Sequence, residues 1–174
     1  MILRKINAWL SLITAVIFFD HAIFHAVWML SRGGIEKNGG FLTRILFAIM
    51  AAHAIISLVL VISGHIGTKK CKSYANMNKM TYIQRISGIL LLPLTILHIL
   101  GAVGVIQPSP SVHAILPPVF FAVCLMHTAI STGKAFITLG MGNAKSIKIA
   151  DIAIKVICAL IWIADVAGFY LYVA

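Results

Sequence analysis

Five long apolar runs, at residues 7–30, 41–66, 81–106, 114–139 and 148–173, occupy most of the chain. A hydrocarbon core of ~30 Å is crossed by about 20 apolar residues in helical form. Each run is long enough, and every backbone polar group in lipid must be satisfied within its own helix. The pattern therefore predicts an all-α integral membrane bundle of five transmembrane helices, forming one transmembrane domain over residues 1–174. The links are too short for a soluble domain, so chemistry outside the membrane is left to partner subunits. Residues 1–5, with Arg4 and Lys5, look like a signal-peptide n-region. The apolar run behind them is too long for an h-region and no small-residue cleavage site follows cleanly. A retained first helix is expected.

Composition agrees: 61% of the 174 residues are hydrophobic and 10% charged, against about 25% charged in soluble domains, with mean hydropathy +1.03. That excludes a water-soluble enzyme, a disordered chain and a nucleic-acid binder. The net charge of +10 reads as topology. With the N-terminus cytoplasmic, the inner side receives Arg4, Lys5, Lys69, Lys70, Lys72, Lys79, Arg85, Lys134, Lys145, Lys148 and Lys155, eleven in all. The outer side receives three: Arg32, Lys37 and Arg44. The expected location is the cytoplasmic membrane, multi-pass, with the C-terminus outside. Residues 31–40 carry four glycines and read as an outer turn, and 107–110 as a proline-containing stop. The basic 67–80 segment suits anionic membrane lipid or a docked partner with an acidic face. Cys71, Cys124 and Cys158 form no C-x-x-C or C-x-x-C-H, which argues against zinc, a dithiol pair and covalent c-type haem.

The seven histidines outnumber the four acidic residues. Run 1 carries His21 and His25, run 2 His53 and His65, run 3 His98, run 4 His113 and His127, and run 5 none. At 1.5 Å rise per residue, His53 and His127 sit at matching depth near mid-helix. His25 and His98 match in the outer third. The helices within each pair run in the same direction. Ionisable residues at such depth are functional candidates, although single histidines also serve as interhelical hydrogen bonders. One imidazole from each of two helices at one level suits bis-histidine ligation of b-type haem. Two such pairs predict two haem b groups stacked across the membrane, with His25, His53, His98 and His127 as iron ligands.

The stretch Tyr82-Ile83-Gln84-Arg85-Ile86-Ser87-Gly88, running on to His98 and Gln107-Pro108, resembles the small-hydroxyl-Gly…His signature of cytochrome b subunits of succinate:quinone oxidoreductases. Phe120-Phe121-Ala122-Val123 followed by His127, Ser131, Lys134 and Leu139-Gly140 is similar to the fourth helix of the single-chain, five-helix dihaem type, and Ala52-His53-Ala54 to its second. Thr14 precedes His25 by eleven residues, the same interval as Ser87 to His98, which favours His25 over His21 as ligand. The resemblance covers most of the chain. It implies the membrane anchor of a fumarate reductase or succinate dehydrogenase, with Ser87 in the cofactor-binding set. Such an anchor passes electrons between a membrane quinone and an iron–sulfur subunit, beside a flavoprotein (FAD) subunit that interconverts fumarate and succinate. It also allows a dimer of the whole complex. No dicarboxylate chemistry is expected in this chain.

Lys134, two turns inward of His127, and Arg85 are expected either to meet haem propionates or to snorkel to the inner interface. Three of the four acids, Asp20, Glu36 and Asp165, fall on the outer side. Quinol oxidation releases protons, so a menaquinol (or other quinol) site near the outer haem is expected, with Glu36 or Asp20 accepting them. Asp20 could instead support a ligating histidine; Asp165 could cap a helix, bridge helices, or stand in for the helix 4 acid that the resembled dihaem type carries and this chain lacks. An inner quinone site at Thr81 and Arg85 ranks second. The alternative class is a dihaem cytochrome b subunit of another quinone-linked complex, of the formate dehydrogenase or hydrogenase type. A haem-free transporter or scaffold is weakest, since no internal repeat is present.

Overall fold

The computed structural model describes residues 2–31, 40–66, 79–107 and 109–173. They form five helices: α1 (Ile2–Leu30), α2 (Gly40–Ile66), α3 (Lys79–Ala102), α4 (Pro110–Leu139) and α5 (Ala144–Val173). All five are long and apolar enough to cross a membrane, the architecture of a multi-pass membrane protein. Glu36, Lys37, Arg32, Cys71 and residues 67–78 lie outside the described residues, as do the side chains of His65 and His113.

Helix ends depart from the apolar runs, because hydrogen-bond closure and hydropathy are different criteria. α1 begins at Ile2 rather than residue 7, taking the basic first turn into the helix. α3 was expected to run to 106 and stop at the proline segment, but ends at Ala102. Gly104 takes φ 75° and its N–H bonds Gly101 O (3.1 Å), while Val105 N–H reaches back to Leu100 O (2.9 Å). This is a Schellman closure with glycine in the left-handed position. The same closure ends α4: Gly140 (φ 70°) bonds Ile137 O and Met141 bonds Phe136 O. Pro110 therefore opens α4, at a position where no donor is needed. α5 starts four residues before the predicted 148, because Asn143 Oδ1 accepts from Ser146 N–H at 2.9 Å and caps it.

α1 and α4 form the centre. α1 packs on α2, α4 and α5, and α4 packs on α1, α3 and α5. Ala8, Ala15, Phe18, Ala22, Ala26 and Met29 make one buried stripe of α1, and its small residues let helix backbones approach closely. The core joins Phe18 and Ala22 to Leu46, Phe120, Phe121, Cys124 and Cys158. Two prolines interrupt the ladder of α4, Pro117 and Pro118. Pro118 has no N–H for the Ala114 carbonyl, which instead accepts from Tyr170 Oη of α5 at 3.4 Å. Trp162 Nε1 donates to Pro118 O at 3.2 Å. The Tyr170 side chain thus satisfies a carbonyl freed by proline, as lipid requires. Among the described residues, α1 has no extensive packing with α3, nor α2 with α4. Those are the two helix pairs that the sequence links through matched histidines.

Candidate functional site

His25 faces into the bundle. Its Nδ1 lies 2.6 Å from Asp165 Oδ1 on α5, and Asp165 is 1% exposed. A carboxylate only accepts, so Nδ1 carries the proton and donates it. Nε2 is the ring nitrogen that Asp165 leaves unengaged. His127 on α4 has the same arrangement with a different acceptor. Its Nδ1 lies 2.9 Å from Ser87 Oγ, and Ser87, fully buried, spends its own hydrogen on Gln84 O at 3.0 Å. The hydroxyl therefore accepts from Nδ1–H, and Nε2 is again the ring nitrogen that this bond leaves unengaged. Holding Nδ1–H on an acceptor is how a ligating imidazole is oriented and its tautomer set.

The outer histidines share one level. His25 stacks on Phe121 with centroids 5.1 Å apart, and His98 of α3 stacks on Phe120 at 4.6 Å. The two phenyl rings meet edge to face at 5.7 Å, so α4 sets the height of both imidazoles. Stacking covers a face of each ring, whereas a metal binds in the ring plane. His127 lies six to seven residues further along α4, about 10 Å by helical rise. His53 of α2 is near enough to His127 for the two imidazoles to interact electrostatically. Its Nδ1 is buried with no hydrogen-bond partner, as is Thr14 Oγ1 on α1. Ser57 Oγ donates to Asn7 Oδ1 (3.2 Å); that antiparallel register puts Thr14 within about one turn of His53. An unpaired buried polar group costs about 1–3 kcal/mol; the His53 imidazole is otherwise engaged by the Asn7 backbone.

Inward of His127 lies a polar cluster. Lys134 Nζ donates to Thr81 Oγ1 (2.8 Å) and Gln84 Oε1 (2.7 Å), and Gln84 Nε2 donates to Ser131 Oγ (2.9 Å). Arg85 is half-buried nearby, and neither cation has a carboxylate partner among the described residues. Two uncompensated cations at this level suit an anionic group such as a haem propionate, and the Lys134 contacts hold it back from simply snorkelling. Thr81 is engaged by Lys134, which weakens the alternative quinone assignment for Thr81 and Arg85.

The acids separate. Glu36 lies outside the described residues. Asp20 is exposed on the outer face of α1, without a hydrogen-bond partner among the described residues. Among the roles weighed for Asp165, the structure places it in an interhelical bond to His25. Three features were missed in the sequence: the Asp165–His25 pair, the service of Ser87 to His127 rather than to His98 on its own helix, and Gly88. A Cβ at Gly88 would sit 3.1 Å from His127 Cε1, so glycine gives the imidazole its room. No sequence spacing pairs Ser87 and Gly88 with His127, because helix packing decides which faces meet.

The donor set suits haem b: two imidazoles whose Nδ1 is held from another helix, a buried third whose Nδ1 has no partner, and cations inward of His127. No protein-family model, curated protein or solved structure matches the chain.

Proposed function

We propose that the chain is a dihaem cytochrome b membrane anchor, exchanging electrons with a membrane quinone and with a docked iron–sulfur subunit. The observation that carries this reading is the pair of imidazoles, His25 and His127, each with Nδ1–H held by an acceptor on another helix and Nε2 left free. His98 and His53 complete the pairs at the same two levels. When bound, haem b supplies reversible one-electron exchange at its iron. The chain's own residues do the rest. Asp165 and Ser87 hold the tautomers. Phe120 and Phe121 set the outer level and exclude water. Lys134 and Arg85 balance negative charge at the inner end.

Asp20 is suited to receive protons released by quinol oxidation, because it is exposed at membrane depth near the level of the outer pair. The basic inner end suits an iron–sulfur subunit with an acidic face, beside a flavoprotein carrying FAD, in a fumarate reductase or succinate dehydrogenase of the cytoplasmic membrane. The resemblance of Ser87-Gly88…His98 and the α4 pattern favours that complex over the formate dehydrogenase or hydrogenase type.

A reduced-minus-oxidised spectrum of the purified chain tests the proposal. Two b-type components are expected; their absence overturns it. Replacing His53 or His127 removes one component, and replacing His25 or His98 the other. Retention of both in His25→Ala would move the assignment to His21.

A further inference from the structure

α3 and α5 both pack on α4 but not extensively on each other, which leaves a groove floored by α4. Its deeper half, about 450 Å³, is lined by Ile83, Leu125, Met126, Ala129, Cys158 and Trp162. Its other half, about 590 Å³, runs to the inner end beside Lys134, Lys148 and Lys155. Met80, Ile130 and Lys155 line both, so the groove is continuous. Among the described residues, three ammonium groups at the inner mouth face a single carboxylate, Asp151, which pairs with Lys155. A Cβ at Gly133 would come within 2.9 Å of Asp151 Oδ1; glycine there lets α5 lie close to α4 and keeps the carboxylate low in the mouth. Lys134 is tethered by Thr81 and Gln84, so one cation is pre-positioned, while Lys148 has no partner among the described residues.

An apolar trough opening into a cationic mouth matches one chemistry, a long hydrocarbon chain ending in an anion. We infer that this groove holds one anionic phospholipid, its phosphate at Lys148 and Lys155 and one acyl chain along α4 toward Trp162. A neutral quinone would gain nothing from the lysines, and a zwitterionic lipid would bring its own cation to them. Basic pockets between helices at the inner side of membranes bind anionic headgroups on this principle. The inference is independent of the resemblance, and the lysines given to the phosphate, Lys148 and Lys155, are not among the residues assigned to haem.

The test uses the full chain, delipidated in mild detergent, with Trp9→Phe and Trp28→Phe so that Trp162 is the sole indole. It is titrated with phosphatidylglycerol brominated on its acyl chains, and separately with the brominated phosphatidylcholine. Saturable quenching is expected with phosphatidylglycerol, and much weaker quenching with phosphatidylcholine. Each lysine is worth about fivefold in affinity for an anionic headgroup. Lys148→Gln with Lys155→Gln is therefore expected to weaken phosphatidylglycerol about 30-fold while leaving phosphatidylcholine unchanged. Ala159→Phe, which fills the apolar half and spares the lysines, should weaken both lipids. Helical content by circular dichroism checks the fold of each variant. Equal quenching by the two lipids overturns the inference. So does unchanged affinity in the double lysine variant, or displacement of phosphatidylglycerol by ubiquinone at equimolar concentration, which would make the groove a quinone site.

Discussion

Asp165→Asn isolates the charge of one buried side chain from its shape. Asparagine keeps the volume, and its amide oxygen can still accept from His25 Nδ1, now 2.6 Å from a carboxylate oxygen. A hydrogen bond to a charged group is worth about 1.5–3 kcal/mol, against about 0.5–1.5 between neutral groups. Losing the charge therefore removes about 1–1.5 kcal/mol. If His25 ligates a haem iron as proposed, the nearby negative charge would stabilise the oxidised, more positive iron, and its removal would favour reduction. At 59 mV per 1.4 kcal/mol for one electron, one midpoint is expected to rise by about 40–60 mV. The other, which the proposal assigns to His53 and His127, is expected to stay in place. Spectroelectrochemical titration of the reduced b-type band in the purified chain reads both midpoints. An unchanged pair of midpoints, or an equal shift of both, would refute the reasoning. Lost quinol turnover with unchanged midpoints would assign Asp165 to proton transfer instead. A second readout needs no haem: Asp165→Leu leaves Nδ1 of His25 unpaired and is expected to cost about 1–3 kcal/mol in thermal unfolding.

Ser87→Ala removes the acceptor from His127 and is expected to weaken retention of the inner haem 10- to 100-fold, the usual loss when a ligand's hydrogen-bond partner is removed, with the outer spectrum intact; equal loss of both components would show a general folding defect. Gly88→Ala should act on the same component by pushing the imidazole, and the two variants should combine less than additively, checked by haem stoichiometry. Tyr170→Phe strips the Ala114 carbonyl of its donor and is expected to cost about 1 kcal/mol, a cost that shrinks in a Pro118→Ala background, where an N–H returns; a double-mutant cycle without coupling would rule out that account. Asp20→Asn should leave both spectra unchanged and slow quinol oxidation, read by stopped-flow with a menaquinol analogue.

Much of the architecture was legible because lipid imposes one criterion along the chain. Runs of about 24 to 26 apolar residues permit little but membrane helices, and all five appear. Their ends were less legible. Hydropathy runs on to Ile106, but the backbone closes at Gly104, because a left-handed glycine satisfies carbonyls whatever its neighbours' polarity. Histidine levels followed from helical rise alone, and the shared height of His25 and His98 at Phe121 and Phe120 agrees with it. Partners across helices were not legible: no spacing rule says that a serine eleven residues before one histidine will serve another forty residues away, on α4.

The sequence by itself determined five helices, the surplus of basic residues at one end and the two levels at which histidines occur, since each depends only on composition, order along a helix and its constant rise. The tertiary structure alone decided which face of α1 turns inward, and so that His25 meets Asp165 while Asp20 faces outward. It also decided that α1 and α4 take the centre, with α1–α3 and α2–α4 not extensively packed among the described residues. Those outcomes depend on helix rotation and neighbour choice, which are set by the fit of small and large side chains between helices rather than by hydropathy.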